Sequence, residues 1–264
     1  MARAFGASPG PTEAIERAEK RQIILVQPSV DRWHLTKKMD MRFALIGLLV
    51  VLCSVFELGA QVSTSPRRLS EATITYSVSI RTSNTEPRAA DLMDGAVNLV
   101  YLKGNLSRSD LKSALGHQST VVDSKTGEAT VIKEYGEQRY LIRMTPEEWK
   151  TSNKTYDSVR YQFTGISKQI AGYTCEQAIG TWKDGNTYTV FFTRALLPIN
   201  HEFQYLNRNL PGLALEYQAK LGKGELTYTA TSINFDPVPH QQFELPTSGY
   251  RVMTYEESKG GRKQ

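Results

Sequence analysis

The residues able to do chemistry in this 264-residue chain are few and scattered. Its four histidines, His34, His117, His201 and His240, stand singly in turn-like context. None belongs to an HExxH motif or a paired-carboxylate spacing, so they read as surface histidines rather than metal ligands. With only two cysteines, Cys53 and Cys175, a disulfide framework and a four-cysteine zinc site are both excluded. Cys175 alternates along an extended stretch with Tyr173 and Ile179, which makes it a buried small hydrophobe before a nucleophile. No GxSxG elbow presents a serine. Gly222-Lys223-Gly224-Glu225 lacks the phosphate-loop spacing and reads as a turn. Glu147 and Glu148 cap a helix before they act as acids. No catalytic residue, cofactor site or metal site emerges, and the reading is non-enzymatic.

The elements that would position any site are strands. From Ala72 onward Ile74, Tyr76, Val78 and Ile80 alternate with Thr73, Thr75, Ser77 and Ser79, the period of two that marks a half-buried strand. VNLVYLK (97–103), STVVD (119–123), EATVIKE (128–134) and RYLIRM (139–144) continue the pattern, with a turn at Gly104-Asn105. Residues 86–93 suit a short helix. Thr145-Pro146-Glu147-Glu148 opens another: a hydroxyl at the N-cap, proline at the first helical position, and glutamate three residues on. Trp149 then packs that helix on the sheet. Asp184-Gly185 marks a hairpin between a strand bearing Tyr173, Cys175, Gln177 and Ile179 and one bearing Tyr188, Val190 and Phe192. Leu210-Pro211-Gly212-Leu213 fits a type II turn in which glycine supplies φ > 0. The fold class is therefore mainly β: a single curved antiparallel sheet or half-open barrel with one or two short helices. Gly180-Thr181-Trp182 imitates a lipocalin signature but falls far from an opening strand.

Outside that body the chain changes character. Phe43 to Phe56 carry no charge, follow Lys37, Lys38 and Arg42, and precede Leu58-Gly59-Ala60. This is the layout of a secretory signal cleaved after Ala60, and the run is shorter than the ~20 apolar residues a membrane span needs. The organisation is an N-terminal extension 1–38, which a start at Met39 or Met41 would leave untranslated, a signal peptide 39–60, a β domain 61–256 and a disordered polar tail 257–264. The net charge of +5 comes without an arginine-rich stripe, so nucleic acid is not indicated as a partner. The chain is expected to be exported, to the periplasm, the outer-membrane periphery or the medium, and to be a monomer.

At Ile170-Ala171-Gly172-Tyr173-Thr174-Cys175, the aromatic return strand, and Leu210-Pro211-Gly212-Leu213-Ala214-Leu215-Glu216, the sequence resembles the secreted GLPGLI family. Asn209 stands where that motif begins with glycine, and Ala214 where it ends with isoleucine. The closing FELPTSGYRVM is similar to a neighbouring family of uncharacterised secreted bacterial domains. The resemblance spans most of residues 70–256. It implies a bacterial cell-envelope protein with the half-open antiparallel barrel of LolA-type lipoprotein carriers, and it lends no catalytic residues.

The apolar strand faces then supply the candidate site: Tyr76, Val78, Ile80, Leu99, Tyr101, Ile142, Met144, Tyr161, Phe163, Tyr188, Val190 and Phe192. They line a cavity for a lipid or acyl chain, or they fill a dry core. The first outcome expects a carrier or sensor of an apolar ligand, with no cofactor. The second expects an interaction module that binds another envelope protein through edge strands or loops.

Overall fold

The computed structural model describes residues 65–81, 92–221 and 224–260, all within the unit Val62–Gln264. The extension 1–38, the leader 39–60 with Cys53, most of the helix expected across 86–93, the Gly222-Lys223 turn and the tail from 261 lie outside the described residues.

The alternating runs become strands: β1 (Arg67–Leu69), β2 (Glu71–Arg81), β3 (Val97–Lys103), β4 (Leu106–Ser113), β5 (Gly116–Asp123), β6 (Ala129–Tyr135) and β7 (Gln138–Met144). After helix α1 (Pro146–Asn153) and a 3-10 turn (Lys154–Tyr156) come β8 (Arg160–Ile170), β9 (Tyr173–Thr181), β10 (Thr187–Thr193) and β11 (Leu196–Pro198). A 3-10 segment (Glu202–Asn207) leads to β12 (Leu213–Leu221), β13 (Gly224–Asn234), a 3-10 turn (His240–Phe243), β14 (Arg251–Thr254) and helix α2 (Tyr255–Gly260). Twelve strands form one open sheet in the order β14-β7-β6-β5-β4-β3-β2-β13-β12-β10-β9-β8, while β1 and β11 make a separate pair. The sheet curls, because β8 contacts β13 four strands away. Its two edges, β14 and β8, do not pair, so the barrel stays half open.

Local chemistry accounts for the joints. At the start of α1 the Thr145 side chain accepts from Glu148 N, and the Glu148 carboxylate accepts from Thr145 N at 2.8 Å, a capping box with proline in the first turn. The β9–β10 hairpin closes as expected around Gly185 (φ +84), with Trp182 N donating to Asn186 O at 2.8 Å. A turn missing from the sequence reading joins β8 to β9. Ala171 and Gly172 both take positive φ, +48 and +83, a backbone in which alanine carries a steric cost.

Three expectations are corrected. Gly212 has no left-handed φ, so the type II turn does not form there. Glycine is needed instead because a Cβ would lie 2.1 Å from Thr193 O, where the loop crosses the end of β10. The sheet is not wholly antiparallel: β14 runs parallel to β7, and β1 runs parallel to β11. Residues 257–260 are helical where the tail reading placed disorder. The Glu257 carboxylate accepts from Thr254 N at 2.7 Å and Glu257 N donates to Thr254 Oγ1, so a second capping box starts α2.

The parallel strand follows from the path of the C-terminal segment. From β13, residues 235–250 cross the outer face of the sheet before reaching β7. Arg67 lies over the Phe235 ring at 3.7 Å. Lys103 Nζ donates to Val238 O at 2.7 Å, and Val238 N donates to Glu71. Arg108 donates to Gln242 O, and the Tyr250 hydroxyl donates to Glu134. Val238 and Phe243 are the buried plugs of this strap.

Candidate functional site

Register assigns each candidate residue to a face. Through the cross-strand pairs Tyr76–Asn98, Asn98–Leu111 and Leu111–Gln118 on one side, and Val78–Tyr228, Tyr228–Tyr217 and Tyr217–Val190 on the other, a single inner face runs through the sheet. Tyr76, Val78, Ile80, Ile142, Met144, Tyr161, Phe163, Tyr188, Val190 and Phe192 lie on it. Leu99 and Tyr101 do not. They pair with Thr75 and Thr73 and face outward, because the buried parity of β3 is Asn98, Val100 and Leu102.

The residues on the inner face are mostly packed, not cavity-lining. Ala178, Tyr188, Val190 and Phe192 form a buried cluster with Val159, Leu210 and Ala214. The Tyr161 and Tyr188 hydroxyls hydrogen-bond to each other at 2.8 Å, and both lie within hydrogen-bonding distance of the Leu206 carbonyl. Burial pushes the Tyr161 phenol up to about 12 and raises that of Tyr188 further. Phe163, at the β8 edge, is 49% exposed. At the other flank Ile142 and Met144 pack with Val122 and Ala129 beneath Trp149.

Between these two flanks the inner face is open. A cavity of about 340 Å³ has a floor of Asn98, Ser107, Ser109, Leu111, Gln118, Thr120 and Val122 from β3–β5. Tyr217, Ala219 and Tyr228 of β12 and β13 form one wall. A second cavity of about 310 Å³ shares Leu111, Gln118, Ala219 and Tyr228 and continues toward Met93, Leu115 and Leu226. None of the twelve candidate residues lines either cavity. The lining is amphipathic, not purely apolar. Ser109 Oγ donates to Asn98 Oδ1 at 2.8 Å, while the amide groups of Asn98 and Gln118 and the Thr120 hydroxyl keep capacity for a ligand. A further concavity of about 410 Å³ lies by the β1–β11 pair, walled by residues such as Pro198 of β11 and Ile199 and Pro211 of the loops.

The roof over the first cavity comes from two distant pieces of chain, residues 149–156 and 202–206. They are fastened together. Trp149 Nε1 donates to Glu202 Oε2 at 3.2 Å, and the Trp149 and Tyr205 rings meet edge to face at 6.0 Å. The Tyr205 hydroxyl and Arg208 both donate to Asp157, at 3.2 and 2.7 Å. Tyr217 stacks on Tyr228 at 4.8 Å, and burial raises both phenols. The sequence reading missed the floor because serine, threonine and asparagine at alternate positions look like a solvent face. Carrying the parity of β3 across the two-residue hairpin at Gly104-Asn105 would have placed Ser107 opposite Leu102, on the inner face.

The outer face holds a polar network that sequence reading also missed. His117 is not isolated in a turn but half-buried in β5. Its Nε2 lies 3.2 Å from Ser119 Oγ and 3.7 Å from Asp110, and its Nδ1 lies 3.8 Å from Glu134. A serine, a histidine and a carboxylate in a row suggest nucleophilic chemistry. Ser119, however, is 1% exposed and accepts from Arg108 at 3.1 Å, beneath the strap that Arg108 and Glu134 hold down. The arrangement fastens the C-terminal segment. Cys175 is fully buried in a cluster with Ile74, Leu102 and Leu213, where burial pushes its thiol up to about 11. Among the described residues no group of three or more His, Cys, Asp or Glu is placed to hold a metal.

No protein-family model matches this chain, and no curated protein matches it. Among solved structures, PNGF-II is similar at 14% identity and a TM-score of 0.40, over 73% of this chain and 33% of that one. This chain thus spans about a third of PNGF-II. An uncharacterised conserved protein from Thermus thermophilus is similar at 11% identity and a TM-score of 0.41, over 70% of this chain and 91% of that one. MucB, in a complex with MucA from Pseudomonas aeruginosa, is similar at 12% identity and a TM-score of 0.34, over 70% of this chain and 59% of that one. These likenesses are distant, and the architecture rests on the strand order and register above.

Proposed function

We propose that this chain is an exported, non-enzymatic carrier or sensor that holds a small amphipathic molecule on the inner face of its sheet. The observation that supports this most is the pair of adjoining cavities of about 340 and 310 Å³, one floored by hydroxyls and amides, the other walled by Met93, Leu115 and Leu226. The export reading stands on the apolar run Phe43–Phe56 with its basic flank. Membership among GLPGLI-like envelope proteins stands on the Ile170–Cys175 and Leu210–Glu216 stretches. A lipid-derived or other acyl-bearing molecule suits such a site, with its polar end on the β3–β5 floor.

The test is to purify the full chain, extract it with organic solvent and identify what is released by mass spectrometry, alongside thermal melts across a panel of amphiphiles. A co-purified amphiphile or a concentration-dependent rise in Tm is expected. An empty protein with no shift across the panel overturns the reading.

A second reading has its own observation. Edge strand β8 leaves Phe163 and Ile166 49% and 55% exposed, and an edge of this kind can pair with an extended segment of another protein. A bulge between Phe163 and Ser167 breaks the ladder there, which limits such pairing.

A further inference from the structure

The charge of the cavity lining is one-sided. The seventeen residues around the first cavity include no lysine, arginine or histidine and a single ionisable carboxylate, Glu202. Glu202 forms no ion pair among the described residues. One of its oxygens accepts from Trp149 Nε1, and no donor among the described residues reaches the other. Arg208, just past the second roof piece, is committed to Asp157 at 2.7 Å, and the lysines of the first piece, Lys150 and Lys154, are exposed and outside the cavity lining. Trp149, Tyr156, Phe203 and Tyr205 line the same cavity as the carboxylate.

A carboxylate without an ion-pair partner among the described residues, in a cavity lined by aromatic residues, attracts a cation. Coulomb attraction to the carboxylate favours a cation, and a cation that settles over a ring face gains with the same sign. An anionic head group would enter with no counter-ion and leave its charge desolvated beside Glu202, which is unfavourable. We infer that the polar end of the ligand is an ammonium group, with Glu202 as its counter-ion and the apolar end lying toward Leu111, Leu115 and Leu226. This rests on the amphiphile reading above and assigns its head group. One basic residue, Lys220, lines the second cavity, and its Nζ lies over the ring of Trp182, which is not part of that lining, at 5.0 Å. A ligand with an anionic head would have to sit reversed, with that head at Lys220.

The experiment compares one tail with three heads: decyltrimethylammonium, decanol and decanoate, each titrated below its micelle concentration into the full chain by calorimetry. Tetramethylammonium supplies the head without the tail. Glu202→Gln removes the charge but keeps an acceptor for Trp149. Decyltrimethylammonium is expected to bind roughly tenfold or more tighter than decanoate, and Glu202→Gln is expected to erase most of that preference while decanol binding stays unchanged. Equal affinity for all three heads, tighter binding of decanoate, or a preference that survives Glu202→Gln would overturn the assignment while leaving the amphiphile reading intact. Tetramethylammonium binding as tightly as the decyl compound would keep the charge assignment and overturn the amphiphile reading. Binding of none of the probes would overturn both.

Discussion

The inner face of the sheet solves two problems with one surface. Toward β8–β10 it is closed: Phe192 and Val190 are completely buried, Tyr188 reaches across to the roof, and Leu206 and Leu210 press down on them. Over β3–β5 the same face carries Ser107, Ser109 and Thr120, and the roof stands off it to leave about 340 Å³. Bulges at Phe163/Ser167 and at Phe191/Phe192 interrupt the first region where β3–β5 is regular, but they do not decide which of the two is filled. Side-chain size does. Large aromatics in the first region consume the space under residues 202–210, whereas small hydroxyl residues in the second cannot reach α1 and the following turn. A packed region makes the domain stable, and the under-filled one beside it has room for the ligand proposed above.

Substitutions that exchange the two characters should separate them. Truncating Phe192 to alanine removes a fully buried ring and is expected to cost about 3–5 kcal/mol in denaturant-unfolding experiments. A value near zero would mean that this end is not packed.

The next effect is one of pH. Because burial holds the Cys175 thiol protonated up to about 11 against an ordinary value of 9.0, the folded chain binds that proton more tightly than the unfolded chain. Its contribution is complete below pH 9 and is lost as the pH rises through about 11. Cys175→Ala is expected to remove about 2–3 kcal/mol of this alkaline loss. Stability curves of the two chains that stay parallel across that window would contradict the burial.

Adding bulk to the closed end is also costly. A Cβ at Gly180 would lie 2.4 Å from the Tyr188 ring, so Gly180→Ala is expected to destabilise by ~1–3 kcal/mol. The smallest effect belongs to the open region. Thr120→Val on the cavity floor is expected to change stability by no more than ~0.5 kcal/mol. A larger loss would show that the floor is in fact sealed by packing.

Much of this was legible in the sequence, for reasons that are local. β3 has the bounds read from VNLVYLK, the Thr145–Glu148 cap is the one its residue types specify, and the Asp184-Gly185 hairpin closes where it was expected. Each of these depends on neighbours within a few positions. The functional region was not legible, because it depends on contacts between residues far apart in the chain. Whether Ser109 meets solvent or a roofed cavity is decided by Trp149, Tyr156 and Phe203, which no period of two can bring near it. Gly212 teaches the same lesson: its turn-like context suggests a left-handed backbone, yet the constraint is Thr193 O on another strand. Leu99 and Tyr101 were misplaced because an apolar residue alone does not declare which face is inward. In β3 that is declared by Val100 and Leu102 through their pairing with Ile74 and Ala72.

The claim that everything else depends on is that the middle of the inner face is hollow and receives a ligand. Ala219 lines both cavities at the point where they join, so Ala219→Trp should fill the space without disturbing the packed flanks. The direct measurement is a calorimetric titration of the full chain and of this variant with whichever decyl compound binds the native protein best. The account predicts saturable binding to the native chain and none to Ala219→Trp, with the two proteins melting within a few degrees of each other. Undiminished binding by the variant, or a variant that fails to fold because the space was already occupied, would contradict it.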